Sequence, residues 1–312
     1  MSLEVKNIVK RYGEKTVVDN LSFEMKGPGV YALLGTNGAG KTTTIRIILG
    51  MLSYESGDVL WNGETLDAIK VNVGYLAEER GLYPKYTLMD QLLYFAKLKG
   101  VSKKVAEERI KYWAERLKVE EYIYPDATAK KKAKPKTADQ LSKGNQQKIQ
   151  LLAALLSDPE IIVLDEPLSG LDPVNADLFK EIIKEEIEKN KYIIMSSHQM
   201  ETIEAFCTDI TILNRGKAVL QGNLNEIKKS YGRVNMFVKC DVDIDNYISE
   251  FDFVSVDKNA DEVCIRVKNE NQAMEFLAKL TENKVPVVKF ELREPSLHEI
   301  FVEKVGNDNE EE

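Results

Sequence analysis

Apolar and polar positions alternate over Leu3–Val9, and β-favouring residues run from Val17 to Met25, so two half-buried strands are predicted before Gly27-Pro28-Gly29 breaks the pattern. Val30 to Leu34 is then unbroken apolar sequence, as expected of a strand covered on both faces. A glycine-rich loop follows, and Thr42 to Met51 reads as a helix. From about Met89 to Val119 the period becomes helical, with Leu92, Leu93, Phe95, Ala96 and Leu98 on one face. A helix over Asn145–Ser157, a buried strand over Ile161–Asp165, a helix over Pro173–Asn190 and a buried strand over Tyr192–Ser197 complete the alternation. Ile210–Leu213 and Ala218–Gln221 read as closing strands around Asn214-Arg215-Gly216.

Beyond about Gly232 the texture changes. Strands at Val234–Cys240, Phe253–Asp257, Val263–Lys268 and Val287–Leu292 are interleaved with helices near Ile244–Glu250 and Asn271–Asn283. That order is the split βαβ, or ferredoxin-like, arrangement. A last helix over Ser296–Val305 carries Leu297, Ile300 and Phe301 on one face, and NDNEEE reads as a solvated acidic tail.

Composition narrows the class. Across 312 residues, 43% are hydrophobic and 30% charged, which excludes wholesale disorder, collagen and a disulfide-stapled miniprotein. The length exceeds what one core usually serves, so two unequal domains are expected. The net charge is −8, so nothing global steers the chain to nucleic acid. Cys207, Cys240 and Cys264 lack metal-ligand spacing and read as free thiols of a reducing cytosol. No stretch approaches the about 20 apolar residues that span a bilayer. The N-terminal segment has no apolar core of a signal peptide. The expectation is a cytoplasmic protein; any membrane-spanning part must come from another subunit.

Gly35 to Thr42, GTNGAGKT, fits G-x-x-x-x-G-K-[ST] between a buried strand and a helix. Glycines let backbone N–H groups converge on phosphate, the helix dipole adds positive potential, and Lys41 supplies a mobile charge. Thr42 offers a hydroxyl to Mg²⁺. Ile161-Ile162-Val163-Leu164-Asp165-Glu166 ends a strand in two carboxylates, of which Asp165 can reach a magnesium shell and Glu166 can deprotonate water.

With these motifs the chain resembles the nucleotide-binding subunit of ABC transporters from about Val5 to Gly222. Leu141-Ser142-Lys143-Gly144-Asn145 stands where that family has LSGGQ, Ser169-Gly170-Leu171-Asp172 where it has its D-loop, and His198 where it has its switch histidine. Its adenine-stacking aromatic looks like Tyr12, and its Q-loop position holds Glu78. The resemblance implies an α/β fold: a P-loop cassette with a mixed-sheet core and helical insert, then a small α+β domain. It implies a cassette over 1–230 with a helical subdomain at about 85–157, an accessory domain over 231–305 and a tail over 306–312. It further implies an ATPase using ATP and Mg²⁺. Nucleotide contacts are expected from Tyr12, Gly35, Thr36, Asn37, Gly38, Ala39, Gly40, Lys41, Thr42 and Thr43, with Ser142, Gly144 and Asp172 acting across a dimer of cassettes. Thr42, Asp165 and Glu78 are the expected metal set; Glu166 is the expected base and His198 its partner at the γ-phosphate. A transmembrane permease subunit, a second copy of the chain and no nucleic acid are the implied partners, at the inner face of the cell membrane.

GYLAEERGLYP and LSKGNQQK resemble bacterial exporters in the group that includes sodium- and drug-export systems, some of which carry an extra C-terminal domain. A packing or dimer-stabilising role is the reading for that domain here, and a surface or interface position for His298. Glu78 replaces glutamine, so it can still accept from metal-bound water but adds negative charge near the phosphates. Lys143 replaces glycine and is expected to point to solvent rather than across the dimer. The lysine-rich Lys130–Lys136 reads as a solvated loop, with contact to anionic lipid as the sharper alternative. Other ABC-type classes fit less well: too few residues separate Lys41 from Leu141 for DNA-repair coiled-coil arms, translation factors carry two cassettes, and intact Glu166 and His198 argue against a weakly hydrolysing regulatory cassette.

Overall fold

The computed structural model describes residues 1–79, 81–124, 135–258 and 262–306, without the side chains of 201 and 202. The acidic tail and the lysines from Lys130 to Lys134 lie outside the described residues. Two compact units form: one from 1–199 with 205–221, the other from 200–204 with 222 onward.

In chain order the elements are β1 (Leu3–Tyr12), β2 (Lys15–Met25), β3 (Gly29–Gly35), α1 (Lys41–Ile48), β4 (Ser56–Trp61), β5 (Glu64–Thr65), β6 (Val73–Leu76), α2 (Leu88–Leu98), α3 (Lys103–Leu117), α4 (Glu120–Ile123), α5 (Lys143–Leu155), β7 (Ile161–Asp165), α6 (Pro173–Glu188), β8 (Tyr192–Ser197), α7 (Met200–Glu204), β9 (Asp209–Asn214) and β10 (Lys217–Asn223). They continue with α8 (Leu224–Tyr231), β11 (Asn235–Cys240), α9 (Asp245–Ile248), β12 (Ser255–Lys258), β13 (Val263–Arg266), α10 (Glu270–Glu282), β14 (Val287–Arg293) and α11 (Leu297–Gly306).

The first unit holds an antiparallel sheet, β2-β1-β4-β5, and a six-stranded sheet in the order β10-β9-β3-β8-β7-β6. The predicted α/β cassette is thus present. β6, β7, β8, β3 and β9 are mutually parallel. β3, β7 and β8 are buried at every residue, which is why their sequences read as continuous apolar runs rather than alternating ones. Parallel pairing puts all their carboxyl ends on one edge. Leu34 stands beside Ser197, and Asp165 beside Ser196, so three chain ends finish level with one another. That edge is where open parallel sheets hold their ligands. The two sheets share one core, with Trp61 edge-on to Tyr192 at 4.9 Å.

The helical insert leaves and rejoins at one place. Thr87 bridges Thr137, and Leu88 N–H donates to Lys136 O at 3.1 Å. Thr87 caps α2, Ser102 caps α3 and Ser142 caps α5, each accepting from the amide three residues on. Because Ser142 caps, α5 begins at Lys143, earlier than the periodicity predicted.

The second unit has the antiparallel order β12-β13-β11-β14 with α9 and α10 as its crossovers, the predicted ferredoxin-like topology. Met236, Val238, Ile265, Phe276 and Leu280 form its own core. Glu204 of α7 belongs to this unit: it ion-pairs with Lys228 of α8 and accepts from Leu297 N–H at the start of α11 at 3.0 Å.

Candidate active site

The loop between β3 and α1 is shaped by what surrounds it. Gly40 sits at φ +106°, and a Cβ there would fall 2.6 Å from Val17 O, so both its backbone conformation and the space demand glycine. No side chain caps α1, so its first-turn amides are left for a ligand. The cavity in front of them holds about 400 Å³ and is lined by Lys15, Val17, Asn37, Gly38, Gly40, Lys41, Thr42, Thr43, Glu78 and Glu166. Lys41 is buried, donates to Gly35 O at 2.8 Å and Thr36 O at 3.2 Å, and lies 3.4 Å from a Glu166 oxygen.

Asp165 ends β7, fully buried. Its Oδ1 accepts from Thr42 Oγ1 at 3.2 Å and from Ser196 Oγ at 2.5 Å, whereas its Oδ2 has no hydrogen-bond partner among the described residues. Burial, above all, raises its carboxyl above the usual aspartate range, and the Ser196 and Thr42 hydroxyls only partly oppose that. An orphaned buried carboxylate oxygen beside a threonine hydroxyl fits a hard divalent cation. Glu78 lines the same cavity from an exposed position.

Glu166, next in the chain, has φ +50°, a left-handed conformation that costs a non-glycine residue free energy. Ser196 Oγ holds it there by accepting from Glu166 N–H at 2.9 Å while donating to Asp165. Ser196 was missed in the sequence; a serine at a strand's end carries no signature of its own. Glu166 Oε2 accepts from His198 Nδ1 at 2.8 Å, and Oε1, 3.4 Å from Lys41 Nζ, has no hydrogen bond among the described residues. The P-loop, Asp165, Glu166 and His198 therefore converge, each from the carboxyl end of a parallel strand.

Other expected residues lie elsewhere. Tyr12 is exposed and does not line the cavity; Lys10 lies over its ring at 5.2 Å. Lys15 and Val17 do line it and were not anticipated. Ser142 and Gly144 are also outside the cavity: Ser142 Oγ accepts from Asn145 N–H at 3.3 Å, and Gly144 approaches Asn175 and Leu171. Asp172 caps α6, accepting from Asn175 N–H at 3.0 Å, a bond that lowers its carboxyl pKa. α5 ties the site together through Gln147, which donates to Pro167 O at 2.6 Å, and Gln150, which donates to Glu79 O at 3.2 Å. A second, largely apolar groove lies nearby, lined by Met51, Tyr75, Leu82, Phe95 and Leu98 among others. His298 is exposed, and Cys207, Cys240 and Cys264 form no disulfide among the described residues.

A phosphate-cradling loop facing two strand-end carboxylates and a histidine defines a P-loop nucleoside-triphosphatase of the ATP-binding-cassette class. Comparison with known proteins agrees. Residues 18–169 match the ABC transporter family profile, and residues 222–305 match the C-terminal domain of DrrA1-3-like ATP-binding proteins. The chain is 43% identical over 305 residues to the ABC transporter ATP-binding protein YhaQ of Bacillus subtilis, covering 97% of this chain and 98% of that one. It is 33% identical over 224 residues, 70% of each chain, to the Nod factor export ATP-binding protein I of Burkholderia orbicola. A solved ATP-binding subunit of an ABC transporter superposes with a TM-score of 0.65 at 28% identity, covering 74% of this chain and 93% of that one. The chain belongs to the ABC transporter ATP-binding family, and it is a nucleotide-binding ATPase. No described helix is long and apolar enough to cross a membrane.

Proposed function

We propose that two copies of this chain close head to tail around two ATP molecules and so drive export through a separate transmembrane permease. The observation that carries this reading is an incomplete site. The start of α1, Lys41, Thr42 and Glu166 line one cavity, with Asp165 hydrogen-bonded to Thr42 and His198 to Glu166 behind them, while Ser142 and Gly144, at the start of α5, are not on its wall. A second copy facing the first supplies those two groups, and Asp172 beside them, to the far side of the triphosphate.

Within one copy the amides from Gly35 through Thr43 and the Lys41 amine bind the β- and γ-phosphates, and Tyr12 stacks on the adenine. Lys41 then exchanges its bonds to Gly35 O and Thr36 O for phosphate oxygens. Thr42 and Asp165 would hold Mg²⁺, with Glu78 accepting from its water. That ion supplies charge neutralisation across the phosphates. Glu166 takes the proton of the attacking water, and His198, bonded to Glu166 Oε2, holds that carboxylate in place and leaves its other ring nitrogen toward the γ-phosphate.

The permease docks on the apolar groove around Met51, Tyr75, Leu82, Phe95 and Leu98, placing the chain peripherally on the inner membrane face. Export as the direction is supported by the Nod factor export relative. Nucleic acid is no partner in this reading, consistent with the net charge of −8. Glu166→Gln is expected to retain ATP and to slow hydrolysis by ~10²–10⁴. With ATP that variant should elute as a dimer in gel filtration, and Lys41→Ala should not. Parental turnover by Glu166→Gln, or a loaded chain that stays monomeric with and without the permease, would overturn the proposal.

A further inference from the structure

Two of the three positions at which the site departs from the family pattern, Glu78 and Lys143 but not Asn145, line one cavity. It holds about 280 Å³ and adjoins the phosphate pocket, sharing Glu78 and Glu166 with it. The rest of its wall comes from Glu79, from Ser169 and from α5. Three carboxylates therefore look into it, from Glu78, Glu79 and Glu166. Two buried acceptors on its wall, Gln147 Oε1 and Glu166 Oε1, have no hydrogen-bond donor among the described residues. A glutamate at position 78 adds a negative charge at the place where a triphosphate brings its own.

Among the described residues Lys143 is the cation lining that wall, with Lys41 reaching Glu166 from the phosphate pocket at 3.4 Å. Lys143 is exposed, as expected, yet its tail does not extend freely into solvent. Gly170 has φ +72°, and a Cβ there would meet Lys143 Nζ at 2.9 Å and Cε at 3.5 Å. The lysine tail is thus laid along Gly170 of its own chain, which places the amine at the mouth of the acidic cavity.

We propose that Lys143 is a positioning residue of its own subunit, whose charge offsets the carboxylate that Glu78 sets beside the terminal phosphate. Contact between the two side chains is not required. Across a small cavity near the protein surface the effective dielectric is on the order of 20, and a charge on one wall is felt at the other. Both groups are exposed to solvent, so the effect is screened by salt. A lysine that instead served only the triphosphate of a partner copy would contribute equally whatever stood at position 78. The inference rests on the proposed placement of the γ-phosphate near Glu166.

A double-mutant cycle on the full-length chain tests it, with Lys143→Ala and Glu78→Gln read out as kcat, KM and the Kd of a non-hydrolysable ATP analogue with Mg²⁺. With Glu78 present, Lys143→Ala should weaken analogue binding and lower kcat/KM by about ten-fold; in the Glu78→Gln background the loss should be under about two-fold. Lys143→Arg should restore the parental values, and high salt should shrink the penalty. Equal losses in both backgrounds, or failure of arginine to rescue, would overturn the proposal. The binding arm is independent of turnover, so it still reports if Glu78→Gln is catalytically dead. Parental turnover by Glu166→Gln would instead sink the assignment of the base and leave the charge cycle readable.

Discussion

At Asp165 burial works against charge. The fully buried carboxyl has an orphaned oxygen and a pKa raised above its ordinary 3.8, so the nucleotide-free fold takes up a proton more readily than the unfolded chain does. Stability accordingly falls as pH rises from 3.8 through the raised value, and above it the whole penalty stands. Asp165→Asn should therefore raise the Tm of the nucleotide-free chain at neutral pH by about a few degrees. That gain should shrink as pH falls through the raised value, and Mg²⁺-dependent hydrolysis should be lost. Differential scanning fluorimetry across pH checks the first part; an unchanged or lowered Tm at neutral pH would contradict it. At this scale Lys41, Asp165 and Glu166 could be singled out as candidates because phosphate chemistry restricts residue type and spacing, and His198 through its resemblance to the family's switch histidine; the structure brings the four together. Ser196, Lys15 and Val17 could not be singled out, because a hydroxyl, an exposed amine and a backbone carbonyl enter the site only through strand pairing.

α5 shows an element serving two demands. Its cap Ser142 accepts from Asn145 N–H, and Gln147 and Gln150 fasten it to the segments after β7 and β6. Ser142→Ala is expected to cost about 0.5–2 kcal/mol through the lost cap. Ser142→Asp keeps a capping oxygen and favours the helix dipole, so its Tm should stay at the parental value. The aspartate nevertheless sets a negative charge where the proposed partner phosphate arrives, and ATP-dependent dimerisation should fall sharply. Dimerisation by Ser142→Asp as strong as the parent's would count against the trans contact. The long helices and the fully buried strands β3, β7 and β8 were readable from periodicity, whereas β4, β5, β6, α4, α7 and α8 were not, being short or without a clear period. Helix starts were also less readable, since a capping serine lengthens a helix ahead of its first apolar residue.

The whole chain divides into two units, each with its own core, and α7 is counted with the second although it follows β8 of the first. Its Glu204 uses both carboxylate oxygens there, on Lys228 and on the Leu297 amide. Truncation after Gln221 removes both partners. Amide exchange should then accelerate over 200–204 and remain slow over 29–35 in the buried β3, as mass-spectrometric hydrogen exchange would show. Unaltered exchange at 200–204 would mean that those contacts do not hold α7.

By itself the amino-acid order determined the cassette and the ferredoxin-like sheet and singled out the phosphate-loop and carboxylate candidates, because buried strands and phosphate loops restrict residue type locally. Three-dimensional pairing decided the rest. Parallel register brought Asp165 level with Ser196, the lysine tail at 143 came to lie along Gly170, and Ser142 fell outside the pocket of its own chain. Those relations join residues far apart in the chain, and no short-range pattern encodes a distance between strands.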